Sequence, residues 1–157
     1  MAASRLVRNP HVDRDHVPHG DPPAPGFHPS LPGFAPTPVR SAPSAAARLG
    51  VAQVLVKDES ERMGMPSFKI LGASWATYRA LLAKLGRQPG PAPSFGELRE
   101  VVASAGPPLT LVAATDGNHG HAVAHLAALL GLPAVVLVPA GTAASRVERI
   151  TAEGAEV

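Results

Sequence analysis

LTLVAATDGNHGHAVAHLAALLGLPAVVLVP, residues 109–139, holds two apolar runs separated by a turn and a helical pattern. LTLVAA is a short apolar strand and TDGNHG a turn. HAVAHLAALLG is a helix, and PAVVLVP is a second buried strand. Downstream, AASRVERITAEG (143–154) reads as another helix and AEV (155–157) as the start of a third strand. Strand–helix–strand–helix with all-apolar strands predicts an α/β fold, a parallel sheet with helices on both faces. Ligands of such sheets bind beyond the carboxyl ends of the strands, and TDGNHG lies at one of these ends. The chain stops at Val157, just where a strand should begin, so a fragment or one half of a longer enzyme is expected.

Upstream, SAAARLG (44–50) reads as a short helix closed by Gly50. VAQVLVK (51–57) reads as a strand with KDES as its polar exit. Ser67 is a suitable N-cap for a helix running to about Leu85 and stopped by Gly86. Phe68, Leu71, Trp75, Tyr78, Leu82 and Leu85 recur at spacings of three and four, which defines one helical face. After the loop GRQPGPAP, SFGELREVVASAG (94–106) is a second amphipathic helix, with Ser94 and Glu97 placed as a capping box. The first 43 residues hold ten of the 18 prolines and four of the seven histidines. Proline fixes φ and removes amide donors, so this segment should be extended and irregular.

The composition narrows the function classes. The chain has 157 residues, enough for a domain with a core; 45% are hydrophobic and 17% charged, which is a globular balance. The net charge is +2, but no Lys/Arg-rich run or aromatic-interleaved patch points to nucleic acid. The absence of cysteine excludes disulfides, thiolate metal sites and thiol nucleophiles. The N-terminus lacks a signal-peptide core, and no apolar run approaches the roughly 18 residues that span a bilayer. These features predict a soluble, cytoplasmic protein without membrane or nucleic-acid partners.

Lys69, in PSFKILGASWA (66–76), is one of only three lysines. It falls in the first turn of its predicted helix, where the helix dipole and apolar neighbours disfavour an ammonium. A lysine with a lowered pKa can attack an aldehyde and form a Schiff base, and pyridoxal phosphate is the common biological aldehyde bound this way. The bland alternative is a helical lysine pointing into water. TDGNHG also has two readings. Gly117 and Gly120 allow close backbone approach, and the helix start after them offers free N–H groups to a carboxylate. Asn118 can donate to a ring oxygen and Asp116 can move a proton. The alternative is an ordinary turn, where Asp, Gly and Asn are all favoured. His119, His121 and His125 have a spacing that can hold a metal, but no HExxH glutamate and no obvious carboxylate partner accompany them, so no metal site is expected.

Four segments in order, FAPTPVR (34–40), VLVKDESERMGMPSFKILGASWA (54–76), VAATDGNHGHAVA (112–124) and VVLVPAGTAASRVERITAEGAEV (135–157), resemble the fold-type II pyridoxal-phosphate enzymes. That group includes tryptophan synthase β, threonine dehydratase and cysteine synthase. Within it the likeness falls on the diaminopropionate ammonia-lyases, because the dehydratases usually carry an S-G-N-H loop where this chain has T-D-G-N-H-G. The resemblance implies the partial three-layer fold of that group and pyridoxal 5′-phosphate as cofactor. It implies Lys69 as the Schiff-base lysine and later base, and Asn118 as donor to the cofactor's 3′-oxygen. Thr115, Asp116, Gly117, Asn118, His119 and Gly120 would receive the substrate carboxylate, with Asp116 the acid–base aspartate serving a D-substrate. The implied reaction is α,β-elimination of 2,3-diaminopropionate to pyruvate and ammonia, in a protein that is a homodimer when full length.

The same resemblance divides the chain into a proline-rich segment (1–43), part of the large cofactor domain (44–108) and the start of a smaller βαβ domain (109–157). The glycine-rich phosphate loop of the group is not found here, nor are its contacts to the pyridine nitrogen. The chain alone is therefore expected to bind the cofactor weakly and turn over little. Two rival readings remain: a serine/threonine dehydratase-like enzyme of the same group, and a non-catalytic α/β binding module whose lysine is structural.

Overall fold

A computed structural model of the chain describes residues 25–106, 108–115 and 117–157. In chain order its elements are a 3-10 turn (His28–Ser30), β1 (Val39–Ser41), α1 (Pro43–Leu49), β2 (Leu55–Lys57), α2 (Lys69–Lys84) and α3 (Phe95–Ala103). β3 (Leu111–Ala114), α4 (Asn118–Leu130), β4 (Ala134–Leu137) and α5 (Ala144–Thr151) complete it.

β3 and β4 pair in parallel, from Leu111 opposite Ala134 to Ala114 opposite Leu137. The third strand expected at AEV is present as a parallel bridge between Val135 and Glu156. There the Val136 amide donates to the Glu156 carbonyl at 2.8 Å, and the Glu156 amide to the Ala134 carbonyl at 2.9 Å. The α/β class with parallel strands joined by helices is thus the observed architecture. The side chains of Val112 and Leu137 point away from the core and are exposed.

Of the proline-rich start, residues 1–24 lie outside the described residues, and part of the remainder departs from expectation. Val39–Ser41 is not irregular but pairs antiparallel with β2, with Arg40 opposite Val56. The reason is local. Between Pro38 and Pro43 the amides are free to donate, and the Asp58 amide adds a bond to the Pro38 carbonyl. The strand expected over 51–57 is shorter, beginning at Leu55, because Gly50 closes α1 in a left-handed conformation and the chain must first turn back. Residues ahead of β1 pack onto the body: Phe27 is fully buried and meets Trp75 edge-on, with ring centroids 5.1 Å apart.

α2 buries Ile70, Ala73, Ser74, Tyr78, Leu81 and Leu82. The expected stripe is fully buried at Tyr78 and Leu82 and partly buried against the same core at Leu71, Trp75 and Leu85, but Phe68 is exposed. A single stripe underestimates a helix packed on more than one side, and α2 meets both α3 and α4. α3 is capped as predicted, with the Ser94 hydroxyl accepting from the Glu97 amide at 3.2 Å. The return half of the capping box is replaced. Glu97 instead accepts from the Tyr78 hydroxyl at 2.9 Å and the Gly90 amide at 3.0 Å. Burial, with this carboxylate beside it, pushes the Tyr78 phenol up to about 12.

α4 lies at the centre, against α2, α5, β3 and β4. One core cluster joins Phe27, Ile70, Tyr78, Leu98 and Leu126, and a second joins Ala124, Ala127, Val136, Ile150 and Ala155. α4 therefore contributes to both. His121 and His125, which the sequence shows without a carboxylate partner, do have one: each ring bonds an oxygen of Glu153 at 3.0 Å. They tie the turn after α5 to α4. No helix among the described residues is long and apolar enough to cross a membrane.

Acidic groups fasten the segment around β1. Arg62 forks onto Glu59 with bonds of 2.6 and 2.7 Å, and the Thr37 hydroxyl donates to the same carboxylate. These bonds hold Glu59 well below the usual range, at about 2. A lowered folded-state pKa gives stability that is full above the unfolded value and lost as pH falls through the folded one. The thermal midpoint should therefore fall more for the wild-type chain than for Glu59→Gln between about pH 5 and about pH 2.5. Equal falls would show that Glu59 is not linked to folding.

Two glycines provide a packing test. A Cβ on Gly120 would lie 2.8 Å from Thr115 Cγ2 and 2.8 Å from Val136 Cγ1, whereas one on Gly72 would meet nothing within 4 Å. Gly120→Ala should destabilise by about 1–3 kcal/mol through overpacking. Gly72→Ala, inside α2, should stabilise by about 0.5–1 kcal/mol. Denaturant midpoints of the two variants measure both.

Candidate active site

Because β3 and β4 are parallel, their carboxyl ends open on the same edge, where α4 and α5 begin. An open cleft of about 620 Å³ lies there. One wall is the turn after β3 and the first turn of α4, with Thr115, Gly117, Asn118 and His119. Pro66 and Lys69 come from the start of α2, and Arg146 and Arg149 from α5. The structure thus gathers five of the residues singled out in the sequence, Lys69, Thr115, Gly117, Asn118 and His119, from segments more than forty positions apart.

Lys69 is the first residue of α2 and is exposed toward the cleft. Its amine stands 4.5 Å from the centroid of the Phe68 ring. Facing solvent and facing a ligand site are therefore the same direction for this side chain. Ser67 lies one residue ahead of the N-cap position, which Phe68 occupies, and its hydroxyl reaches the Lys69 amide only at 3.4 Å. The expected serine cap is displaced because Phe68 is already helical.

The turn TDGNHG is shorter than expected. α4 starts at Asn118, with Gly117 as its N-cap. The His121 amide is the first to bond back into the helix, to the Gly117 carbonyl at 3.1 Å. The amides of Asn118, His119 and Gly120 have no intrahelical acceptor at this helix start, which is also the positive end of its dipole. Asn118 and His119 are exposed at the cleft. Gly120 is buried and lies off the cleft wall; having no Cβ, it lets α4 approach Thr115, Val136 and Ile150. Asp116 lies outside the described residues.

Arg146 and Arg149 were missed in the sequence. They sit three apart on the helix after β4, and a helix starting at the carboxyl end of a parallel strand delivers its first turns to the cleft. That topological signal was available. Among the described residues, no group of three His, Cys, Asp or Glu side chains is arranged to hold a metal ion. The polar side chains on the wall are an amine, two guanidinium groups, a carboxamide, a hydroxyl and an imidazole, beside a helix N-terminus, and all of them can donate. Such a wall suits an anionic ligand, and its amine suits a carbonyl.

Comparison with known proteins bears on this donor set. Residues 31–157 match the family described as "Pyridoxal-phosphate dependent enzyme". Over 130 residues the chain is 39% identical to diaminopropionate ammonia-lyase of Escherichia coli (strain K12), covering 83% of this chain and 32% of that protein. It is 34% identical over 136 residues to L-serine dehydratase/L-threonine deaminase of Rattus norvegicus, covering 77% and 36%. The crystal structure of the Escherichia coli diaminopropionate ammonia lyase in apo form superposes with a TM-score of 0.71 at 37% identity, over 83% of this chain and 35% of that one. The chain spans about a third of the length of the curated relatives it matches. With a family match over most of its length and a lysine-bearing cleft at the carboxyl ends of its parallel strands, the chain belongs to the pyridoxal-phosphate dependent enzyme family.

Proposed function

We propose that this chain carries the lysine-bearing part of a pyridoxal-phosphate dependent ammonia-lyase that eliminates ammonia from 2,3-diaminopropionate. The supporting observation is the meeting of Lys69 with Thr115, Gly117, Asn118 and His119 in one cleft. The likeness to diaminopropionate ammonia-lyase supports the choice of substrate.

The donor set fits the cofactor. Lys69 would hold its aldehyde through the side-chain amine, and the Asn118 carboxamide would donate to its ring oxygen. When bound, pyridoxal phosphate supplies an electron sink that stabilises negative charge at the substrate α-carbon. The rest falls to the chain. The amides at the start of α4 and the Thr115–Gly120 segment would orient the substrate carboxylate. The Lys69 amine would take the α-proton of an L-substrate at Nζ, and Asp116 that of a D-substrate. Loss of the β-amino group as ammonia, and then hydrolysis, gives pyruvate and a second ammonia. Diaminopropionate plus one water balances these products.

Homodimeric assembly and a cytoplasmic location of the whole enzyme belong to the same proposal, as does a domain division between residues 108 and 109. The second reading, a serine/threonine dehydratase, is supported by the relative from Rattus norvegicus.

Two measurements test the reading. Mixing the chain with pyridoxal phosphate should produce a visible absorption band, and borohydride should fix the adduct on the peptide containing Lys69. Lys69→Arg should abolish both. An adduct spread over Lys57 and Lys84 instead would sink the assignment. In an enzyme extended to the relatives' length, diaminopropionate should release pyruvate faster than serine or threonine. The reverse order would favour the dehydratase.

A further inference from the structure

Four residues before Pro66 of the cleft wall, Arg62 is almost wholly buried, at 4% exposure, and is one of two buried polar side chains among the described residues. Its guanidinium is engaged on every side. It forks onto Glu59, donates to the Ala35 carbonyl at 2.7 Å and to the Thr37 hydroxyl at 2.9 Å, and lies 5.4 Å from the centroid of the Phe34 ring. Planar bidentate pairing of this kind fixes direction as well as distance. The anchor therefore binds residues 34–37 to residues 59–62.

Immediately after Arg62 the chain reverses tightly. Met63 and Gly64 both have positive φ, 55° and 77°, and the Met65 amide bonds the Arg62 carbonyl at 3.0 Å. Met63 is the one described non-glycine residue in this region of φ, a conformation that persists only when its surroundings hold it. On one side that hold is the Arg62 anchor. On the other it is Met65, 3% exposed in the core. Beyond Met65 come Pro66 and Lys69 on the cleft wall.

We infer that the Glu59–Arg62–Thr37 anchor is a positioning device for Lys69: it holds the reversal at residues 62–65, and through it aims the start of α2 so that the amine stands in the cleft over Phe68. This rests on the proposed role of Lys69 for its functional meaning, but not for its geometry. Arg62 and Glu59 do not line the cleft, so they act through Lys69 and not on a ligand.

The test uses Glu59→Gln, which keeps the side-chain shape and removes its charge, and Thr37→Val, a milder change should the first fail to fold. Reductive methylation with isotopically labelled formaldehyde places an NMR signal on each lysine amine. The Lys69 signal, assigned by its loss in Lys69→Arg, should be displaced by the Phe68 ring current in the wild-type chain. In the anchor variants it should move toward the position of the exposed Lys84, while circular dichroism and Trp75 fluorescence stay unchanged. Borohydride trapping of pyridoxal phosphate on Lys69 should slow by about ten- to a hundred-fold, with the rate of formaldehyde methylation unaltered. Folded variants with a wild-type Lys69 signal and a wild-type trapping rate would overturn the inference. So would losses of trapping that merely track unfolding in both variants. If the wild-type chain traps no cofactor at all, the proposed function fails, and the NMR signal alone decides whether the anchor positions Lys69.

Discussion

α2 carries Lys69 at its first residue and α4 carries Asn118 and His119 in its first turn, so the cleft exists only while these two helices are packed together. The two helices are in contact, and Ile70 and Ala73 from α2 share one buried cluster with Ala122, Val123 and Leu126 from α4. The small residues let the helices approach closely, and each buried large side chain adds about 1.5–3 kcal/mol of hydrophobic stabilisation. This apolar seam is far stronger than any polar contact a helix start offers on its own. Chemistry at the rim is thus positioned by packing a turn or two deeper.

The charged groups complement that seam rather than compete with it. Glu97 is the acceptor for both Tyr78 and the Gly90 amide, and joins α2 to the loop before α3. Glu153 is shared by His121 and His125, and joins the turn after α5 to α4. Glu59 takes Arg62 and Thr37. In each case one carboxylate bonds two donors, which satisfies its oxygens and fixes the placement of the segments it joins. The cleft wall itself has the opposite sign, with donors gathered from three helices. Structural carboxylates are kept off that wall among the described lining residues, where they would compete with an anionic ligand for the same cations.

Much of the sheet region was legible because its signals are local and redundant. Apolar runs marked β3 and β4, AEV after Gly154 marked the bridge at Glu156, and Ser94 marked the α3 cap. Local pattern was less informative where the partner is distant in sequence. Nothing within VRS reveals that it pairs with LVK, because the partners lie fourteen to eighteen residues apart in the chain. The buried face of α2 is wider than the stripe, taking in Ile70, Ala73 and Leu81, because it answers to α3, α4 and Phe27 together, while a periodicity count assumes one neighbour. Glu153 could not be named as the histidines' partner without the α4–α5 contact. Arg146 and Arg149 could have been placed at the cleft by topology, had the helix after β4 been read as the α4 helix was.

The signature segments also divide differently from what their residue types suggest. In TDGNHG the two described glycines do separate work: Gly117 opens the helix at the cleft, and Gly120 makes room for Val136 and Ile150 beneath it. In KDES, Ser60 and Arg40 hold Asp58 at about 2, and Arg62 and Thr37 hold Glu59 there. A carboxylate held that low stays charged at neutral pH and is a poor proton shuttle. Both are also bound to β1-side residues and absent from the cleft wall. Their bonds are structural: Asp58 ties to Arg40 of β1, and Glu59 holds Arg62, four residues before Pro66 at the cleft. For any side-chain amine that reacts with a ligand, a fixed backbone origin removes part of the orientational entropy lost on reaction.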